Sequence, residues 1–312
     1  MKRIAIIGGG ISGLSAAHAL EKERRAGADL GYVLYESRSR FGGVLVTDRV
    51  DGCLVEAGPD SFITEKPWAT DLCRELGLAD QLIGSNDADR KTYILVRGRL
   101  IEMPDGLMFM VPTKILPTVF SPLFSPGTKL RMAQEWFHPP HKADGDESVA
   151  SFVKRHYGAE MVDRLADPLL SGVYGGESSQ LSVRAVLPRF AEMEAKHGSL
   201  GRAMLTARRP LARAAKGAAL FTSLRDGMQQ LVDTLVARLD PKARISGTPV
   251  QAVRPEARGW LVSAGLGSDH FDAVILALPA PSAALVLQVC NAELAGCLGG
   301  IAYSSSVTVT LG

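Results

Sequence analysis

The chain has 312 residues, of which 46% are hydrophobic and 22% are charged, and its formal net charge at pH 7 is +2. These values are typical of a globular protein, and the small net charge excludes an overall electrostatic attraction to nucleic acid. The length exceeds what one small core needs, so we expect two domains or one large domain that carries an insertion.

The first predicted element is a buried strand that runs into a glycine-rich turn and then into a helix. Residues 3–7 are apolar and mostly β-branched, as in a strand buried on both faces of a parallel sheet, and residues 14–25 have a helical composition. The turn follows the pattern G-x-G-x-x-G, whose glycines permit a tight turn, close approach of a pyrophosphate and close helix packing. The residues assigned to this turn are Gly8, Gly10, Ile11, Ser12 and Gly13.

An acidic residue ends the second predicted strand. This strand covers residues 32–35 and is followed by Glu36 and Ser37, which we assign to the same site. The Glu36 carboxylate suits hydrogen bonds from both hydroxyls of an adenosine ribose and disfavours a 2′-phosphate. The phosphates would lie at the positive end of the first helix, so the whole segment predicts a dinucleotide site.

The next segment extends this site with Arg40, Gly42 and Gly43. An arginine can neutralise a diphosphate through two hydrogen bonds, and paired glycines expose backbone N–H groups. The Arg-x-Gly-Gly pattern resembles the FAD-binding signature of the amine oxidase and protoporphyrinogen oxidase group. The resemblance implies that these three residues hold the diphosphate of FAD, and it makes NAD the disfavoured alternative.

Several small elements are predicted to lead away from the nucleotide site. They are a short strand within 51–57, a turn at 58–59, a helix that ends at Gly77 and a hairpin over 91–104. The following stretch, 104–126, is apolar and contains interior prolines, which predicts short helices or irregular structure. This stretch either lines the core of a second domain or, around residues 108–124, forms an apolar wall of the substrate site or a surface that contacts a membrane.

The rest of the chain is predicted to be helical first and then to return to the first domain. Residues 148–216 favour helices interrupted by a glycine-rich stretch at 171–176. From residue 221 onward the pattern predicts an amphipathic helix over 226–239 and strands in 244–255, 259–265, 271–278 and 302–311. The apolar run 273–290 contains Pro279 and Pro281, so we expect a strand, a turn and a helix rather than a membrane span.

The order of these elements predicts an α/β fold in which a Rossmann-like nucleotide-binding domain is interrupted by a mostly helical, α+β substrate domain. The nucleotide-binding domain would comprise residues 1–90 and 218–290, and the substrate domain would comprise residues 91–217. Residues 291–312 would begin a return to the substrate-domain sheet.

Cysteine and histidine usage predicts neither a disulfide framework nor a metal site. The four cysteines form no Cys-x-x-Cys pair, which fits a reducing cytosol. The first strand begins within a few residues of Met1, so no signal peptide is expected. The six histidines do not form a catalytic grouping, and we expect them on the surface or in packing roles.

Seven segments together resemble the bacterial oxygen-dependent protoporphyrinogen and coproporphyrinogen III oxidase family. They are GGGISGLSAA, ESRSRFGG, EAGPDSF, KPWATDLCRELGL, DPLLSGVYGG, LPRFAEMEAKHGSL and FDAVILALPAP, spread over nearly the whole chain. The resemblance implies a GR2-type FAD-binding domain and oxidation of a porphyrinogen, with molecular oxygen as electron acceptor and hydrogen peroxide as product. FAD would carry the chemistry, so no catalytic side chain is predicted.

The same resemblance implies further site residues. Ala57, Gly58, Pro59 and Asp60 match the family's turn beside the flavin, and Val250 matches a residue whose backbone contacts the adenine. Arg90, Lys91 and Arg97 are the candidates for contact with a substrate carboxylate.

The sequence and the resemblance together predict a cellular location and partners. We expect a cytoplasmic protein with peripheral membrane contact, and contact with a downstream heme-pathway enzyme, but no nucleic-acid partner. The basic residues between 202 and 216 are expected to form a solvated face.

Three questions remain open from the sequence. The substrate could instead be an amine or a carotenoid, and the residues do not separate protoporphyrinogen from coproporphyrinogen III. The family closes its flavin site with a final glycine-containing strand and helix that this sequence does not contain, so an inactive dinucleotide-binding fragment is the further alternative.

Overall fold

The computed structural model describes residues 1–87, 91–108, 110–112, 114–141, 145–206 and 219–311, and the chain divides into two compact units. The discontinuous unit comprises Met1–Ser85 and Ala219–Gly312. The inserted unit comprises Asn86–Ala218.

A four-stranded parallel sheet forms the centre of the discontinuous unit. Its strands, in spatial order, are Arg244–Ile245, Leu30–Tyr35, Lys2–Ile7 and Ala273–Leu276. Ile6 is fully buried and lies opposite Leu34 on one side and Ile275 on the other. A parallel strand covered on both faces has to be apolar along its length, which explains the composition of the first strand.

Two helices cover one face of this sheet. Helix Ile11–Arg25 buries Leu14 and Ala17, and helix Gln229–Arg238 buries Leu231, Val232 and Leu235. The spacing of three and four residues between buried positions places them on one side of each helix. Both sets of side chains join Ile6 and Leu34 in a single core.

The remaining elements of the discontinuous unit surround this core. A three-stranded antiparallel sheet contributes Val253, Val262 and Phe271 to a second core on the other side of the parallel strands. Its strands are Val250–Glu256, Gly259–Ala264 and Gly267–Phe271; the other strands are Thr47–Val50, Cys53–Glu56, Phe62–Ile63, Leu82–Gly84 and Phe221–Leu224. The other helices are Pro67–Glu75, Ala280–Leu287 and Ala292–Gly299, with short 3-10 turns at Ala79–Gln81 and Pro241–Ala243.

The inserted unit is mostly helical and has its own core. Phe152, Tyr157, Met161 and Leu165 are fully buried at its centre. Two hairpins are formed by Tyr93–Val96 with Arg99–Glu102 and by Leu107–Met108 with Val111–Pro112. The helices are Ile115–Phe120, Pro126–Glu135, Val149–Tyr157, Ala159–Met161, Asp167–Tyr174, Val183–Val186 and Pro188–His197, with a π-helical turn at Val162–Ala166. Residues 200–206 are also helical.

The predicted interruption of the helices is confirmed, and the C-terminal prediction differs from the structure. Helix Asp167–Tyr174 ends within the glycine-rich stretch, at Gly175 in the left-handed conformation, and the next helix begins at Val183. The predicted strand at 302–311 is wrong, since these residues are exposed and pair with no strand of the described chain. Alternating side chains make a strand only where a neighbouring strand accepts the backbone hydrogen bonds. Residues Ala292–Gly299 form a helix that packs on Ala280–Leu287, not the start of a sheet.

The proline-rich segment 104–126 contains both buried core residues and an exposed apolar surface. Leu107, Val111, Leu123 and Phe124 are buried in the core of the inserted unit. Helix Ile115–Phe120, in contrast, exposes its large apolar side chains to solvent. Within the described ranges, no helix combines the length and the apolar composition needed to cross a bilayer.

Candidate functional site

A cavity of about 860 Å³ lies at the carboxyl ends of the parallel strands in the discontinuous unit. Its walls include the last residues of three strands and the residues that follow them, such as Gly8, Glu36 and Ala277. Ligands of open parallel sheets bind at this edge, because the chain there leaves the strands in loops and helix N-termini.

Glycine is required in the first turn because strand, turn and helix approach each other closely. Gly8 has a φ of 111°, and a Cβ atom there would lie 2.4 Å from the carbonyl oxygen of Ala277. A Cβ atom on Gly13 would lie 1.8 Å from the carbonyl oxygen of Gly8. The first and third glycines therefore fix the position of the helix against the strand ends.

The N-terminus of helix Ile11–Arg25 faces this cavity with backbone groups. Gly10, Ile11 and Ser12 line the cavity, and no side chain caps the helix at Gly10. The first turn contains no acidic residue. Unpaired N–H groups and the positive end of the helix dipole favour an anion there, so the arrangement fits the diphosphate of a dinucleotide.

Glu36 is a buried carboxylate at the end of the second strand, where it lines the same cavity. Its Oε2 accepts a hydrogen bond of 2.7 Å from Gly9 N, and its Oε1 accepts one of 2.8 Å from Arg38 N and one of 3.2 Å from the Ser37 hydroxyl. The carboxylate oxygens have further lone pairs, which suit ribose hydroxyls. Sequence reasoning missed Gly9, where a Cβ atom would lie 2.8 Å from the Glu36 side chain.

The second glycine turn lies directly against the first. Gly42 and Gly43 line the cavity with φ values of 108° and 60°, and Gly42 N donates to the Gly9 carbonyl at 2.8 Å. Arg40 is not among the lining residues, and its guanidinium donates to backbone carbonyls of the turn instead. The structure gives the guanidinium three hydrogen bonds, all to backbone carbonyls, and the predicted contact of Arg40 with a diphosphate stays a prediction.

The predicted turn at residues 57–60 packs against the segment that contains Val44. A Cβ atom on Gly58 would lie 1.9 Å from the Val44 carbonyl oxygen, and Val44 lines the cavity. Ala57 N donates to the Val46 carbonyl at 2.9 Å. Ala57, Gly58, Pro59 and Asp60 are all absent from the lining, whereas the predicted Val250 belongs to it.

One wall of the cavity was not predicted from the sequence. It is formed by the end of strand Ala273–Leu276 and the start of helix Ala280–Leu287, with Leu278, Ser282 and Leu285 among its side chains. Thr248, Pro249 and Gln251 beside Val250 were also missed. The available signal was the third buried strand, whose carboxyl end has to lie beside those of the first two.

The predicted substrate contacts belong to the inserted unit. Arg90 lies outside the described residues. Lys91 is exposed just before the first hairpin, and Arg97 is exposed at its turn with a φ of 50°. Their contact with a substrate stays a prediction.

A buried charged cluster lies in the inserted unit, partly within the segment MEAKHGSL. The His156 Nδ1 lies 3.3 Å from Glu135 Oε1, and its Nε2 lies 3.1 Å from Glu194 Oε1. Glu194 also pairs with Arg155. Glu135 accepts hydrogen bonds from Leu200 N at 2.6 Å and from the Ser199 hydroxyl at 3.0 Å. The cluster therefore ties three helices to the start of the helix at residue 200.

The two carboxyl groups of this cluster have lowered pKa values. Burial alone would raise the pKa of Glu135, but hydrogen bonds from His156, Leu200 N and Ser199 outweigh it and lower the pKa. Burial likewise opposes the hydrogen bond from Arg155 and the charge of His156 at Glu194, and the net effect is again a lowered pKa. Both side chains are therefore carboxylates at neutral pH.

Comparison with known proteins gives concordant matches. A family model described as flavin containing amine oxidoreductase matches residues 11–311. Coproporphyrinogen III oxidase of Bacillus subtilis (strain 168) is 36% identical over 293 residues, which cover 92% of this chain and 62% of that protein. Chloroplastic protoporphyrinogen oxidase 1 of Arabidopsis thaliana is 29% identical over 321 residues, which cover 98% of this chain and 58% of that protein.

Solved structures give the same result. A crystal structure of a proposed protoporphyrinogen oxidase from Exiguobacterium sp. 255-15 superposes with a TM-score of 0.81 at 32% identity, covering 94% of this chain and 63% of that one. A putrescine oxidase structure, with a TM-score of 0.60 at 21% identity, supports the fold alone. These matches confirm the predicted flavin cofactor, and the chain spans about 60% of the length of the relatives that it matches.

Proposed function

We propose that this chain, which belongs to the flavin-containing amine oxidoreductase family, binds FAD and oxidises a porphyrinogen with molecular oxygen. The observation that carries the proposal is the 36% identity to a coproporphyrinogen III oxidase over 92% of the chain, combined with a cavity suited to a dinucleotide. Because the chain covers 62% of that relative, the activity is inferred for this chain rather than transferred to it.

The residues of the cavity would hold FAD by its adenosine and diphosphate groups. The N–H groups at the start of helix Ile11–Arg25 and in the second glycine turn would bind the phosphates, and Glu36 would accept hydrogen bonds from the ribose. Bound FAD supplies the redox chemistry by accepting hydride from the substrate and passing electrons to oxygen, with hydrogen peroxide as product. The protein contributes binding and orientation.

The inserted unit would bind the porphyrinogen. A porphyrinogen is apolar across its ring system and carries carboxylates at its edge, so it needs an apolar surface with nearby cations. Lys91 and Arg97 flank the exposed apolar side chains Tyr93, Leu95 and Leu100 of the first hairpin. We therefore keep both cations as proposed substrate contacts. Contact with a downstream heme-pathway enzyme and a cytoplasmic location are further expectations that follow from this function.

The proposed activity can be tested on purified protein supplied with FAD. We expect porphyrin fluorescence to increase after addition of coproporphyrinogen III or protoporphyrinogen IX, with hydrogen peroxide formed and oxygen consumed. Assaying both porphyrinogens on one preparation identifies the preferred one. Turnover of amines or carotenoids without any porphyrin formation would contradict the porphyrinogen assignment.

A visible spectrum separates these enzymes from an inactive fragment. Protein that shows no flavin bands as isolated, and none after incubation with FAD and removal of free cofactor, would exclude every flavin-dependent oxidation for this chain. Heat release and chromatography of the bound cofactor would distinguish FAD from NAD.

Peripheral membrane contact is favoured by one helix of the inserted unit. On Ile115–Phe120, the exposed fractions are 69% for Leu116 and 80% for Phe120, and the exposed Lys114, which forms a surface ion pair with Asp105 at 3.5 Å, precedes the helix. An apolar helix face with an adjacent cation suits the interface of a bilayer that contains anionic lipid. Leu123 and Phe124 are buried, so they do not belong to this surface.

We expect the double variant Leu116→Ser/Phe120→Ser to reduce co-sedimentation with vesicles of phosphatidylcholine and phosphatidylserine. Burying two such side chains in the interface contributes about 2–4 kcal/mol, so binding should fall by at least tenfold. The variant Leu130→Ser, at an exposed position on another helix of the same unit, serves as the control. Equal sedimentation of all three proteins would argue against this surface.

A further inference from the structure

The three hydrogen bonds of the Arg40 side chain all go to carbonyls of its own turn. Its Nη1 donates to the carbonyl oxygens of Phe41 and Leu45, each at 3.2 Å, and its Nη2 donates to that of Gly43 at 2.6 Å. Within the part of the chain that the structure describes, no carboxylate forms an ion pair with it. The planar guanidinium thus collects three carbonyls of residues 41–45 on one side of the turn.

This arrangement fixes the orientation of the second glycine turn. Each peptide group is planar, so a carbonyl that is hydrogen-bonded to Arg40 fixes the orientation of its whole peptide plane. Three peptide planes of the turn are fixed in this way by one guanidinium. Gly42 N is also bound to the Gly9 carbonyl, and a Cβ atom on Gly43 would lie 3.1 Å from Gly10 Cα. The two glycine turns therefore form one tightly packed backbone surface beside the cavity.

A different arginine lies at the cavity. Arg38 lines the cavity, its side chain is exposed, and its guanidinium has no hydrogen-bond or ion-pair partner among the described residues. Among the described residues that line the cavity, it is the only arginine or lysine. Its backbone N–H is held by Glu36, so the residue is anchored while its guanidinium stays available.

We propose that Arg40 is a positioning residue that shapes the Gly42–Gly43 turn for the phosphates of a dinucleotide, and that Arg38 supplies the positive charge of the cavity. This division of roles is the reverse of what the Arg-x-Gly-Gly pattern implies on its own. It rests on the proposed function only in taking FAD as the dinucleotide, and it does not depend on the porphyrinogen.

The test compares Arg40→Gln, Arg40→Lys and Arg38→Gln with the wild-type chain in two measurements that need no turnover. The first is the melting temperature of the FAD-free protein. The second is the dissociation constant for FAD, and for ADP as a probe without flavin, at low and at high salt and at a temperature where all four proteins are folded.

The two roles predict different combinations of melting temperature and salt dependence. Arg40→Gln should melt at a lower temperature without cofactor and bind FAD and ADP about tenfold more weakly, with the salt dependence of the wild type. Arg40→Lys should behave like Arg40→Gln, because a lysine keeps the charge but does not provide the planar set of donors. Arg38→Gln should keep the wild-type melting temperature, and its weaker binding should depend less on salt.

Other outcomes would overturn the assignment. Near-wild-type affinity in Arg40→Lys, or an unchanged melting temperature with a reduced salt dependence in Arg40→Gln, would make Arg40 a direct phosphate ligand. An Arg38→Gln protein with wild-type affinity would remove Arg38 from the site. A wild-type chain that binds neither FAD nor ADP would refute the proposal together with the cofactor assignment, whereas a chain that binds FAD but oxidises no porphyrinogen would refute only the proposed activity.

Discussion

Replacing Gly13 with alanine is expected to reduce FAD affinity by about 100-fold or more and to lower the stability of the cofactor-free protein. The added Cβ atom would lie 1.8 Å from the carbonyl oxygen of Gly8, so either the helix or the glycine turn has to move. Overpacking of this kind costs about 3 kcal/mol where backbone has to shift, and a displaced helix no longer presents its N–H groups to the cavity. Titration with FAD and thermal unfolding without it measure the two effects.

The matched control for this prediction is Gly296→Ala. Gly296 also lies in a helix, Ala292–Gly299, but a Cβ atom there would meet no atom within 4 Å. Alanine is the better helix former, so this variant should bind FAD normally and be at least as stable as the wild type. Normal FAD binding by Gly13→Ala would mean that the helix can shift without loss of the site, contrary to our account of the first turn.

The second large effect is expected from Glu135→Ala in the inserted unit. The substitution removes one of the two carboxylates bound to His156, the other being Glu194, and leaves the buried Leu200 N–H and Ser199 hydroxyl without their acceptor. Removing a buried carboxylate from its partners in this way costs about 3–5 kcal/mol. Chemical denaturation should show this loss, and Glu192→Ala on the neighbouring helix, at an exposed position, should change the free energy of unfolding by less than about 0.5 kcal/mol.

The same carboxylates determine how stability depends on pH. The pKa values of Glu135 and Glu194 are lowered below the ordinary value of 4.5, so their contribution is fully present above the unfolded pKa. It is lost as the pH falls through the folded pKa values, where protonation breaks the cluster. The free energy of unfolding of the wild type should therefore decrease below about pH 4.5, and Glu135→Ala should show a smaller decrease. Parallel acid profiles would contradict this explanation.

The sequence predicted the nucleotide half of the molecule well because its determinants are local. The strand at 2–7, the glycine turn and Glu36 follow one another within a short stretch, and steric rules for glycine and strand burial act over such distances. The third strand was also predicted, but the cavity wall that follows it at Leu278 and Ser282 was not.

The remaining features depend on contacts between distant residues, which no local pattern contains. Glu135 binds Leu200, and His156 links Glu135 to Glu194, so the role of the segment MEAKHGSL became visible only in the folded unit. Alternation in residues 302–311 predicted a strand, but a strand requires a partner and the described chain provides none there. The contacts of Arg40 show a third limit, since a residue type fixes which groups can bind but not which acceptor is nearest.

The order in which the cavity walls occur along the chain has a consequence for biosynthesis. Strand Lys2–Ile7 pairs with Ala273–Leu276, so the first glycine turn is made early but receives its opposite wall only after the whole inserted unit has been synthesised. The inserted unit is a continuous segment and forms its own core. We expect the inserted unit to fold first on the ribosome, while one edge of the N-terminal strand has no partner strand. An exposed apolar strand edge favours aggregation, so we expect the nascent chain to need a chaperone during this interval.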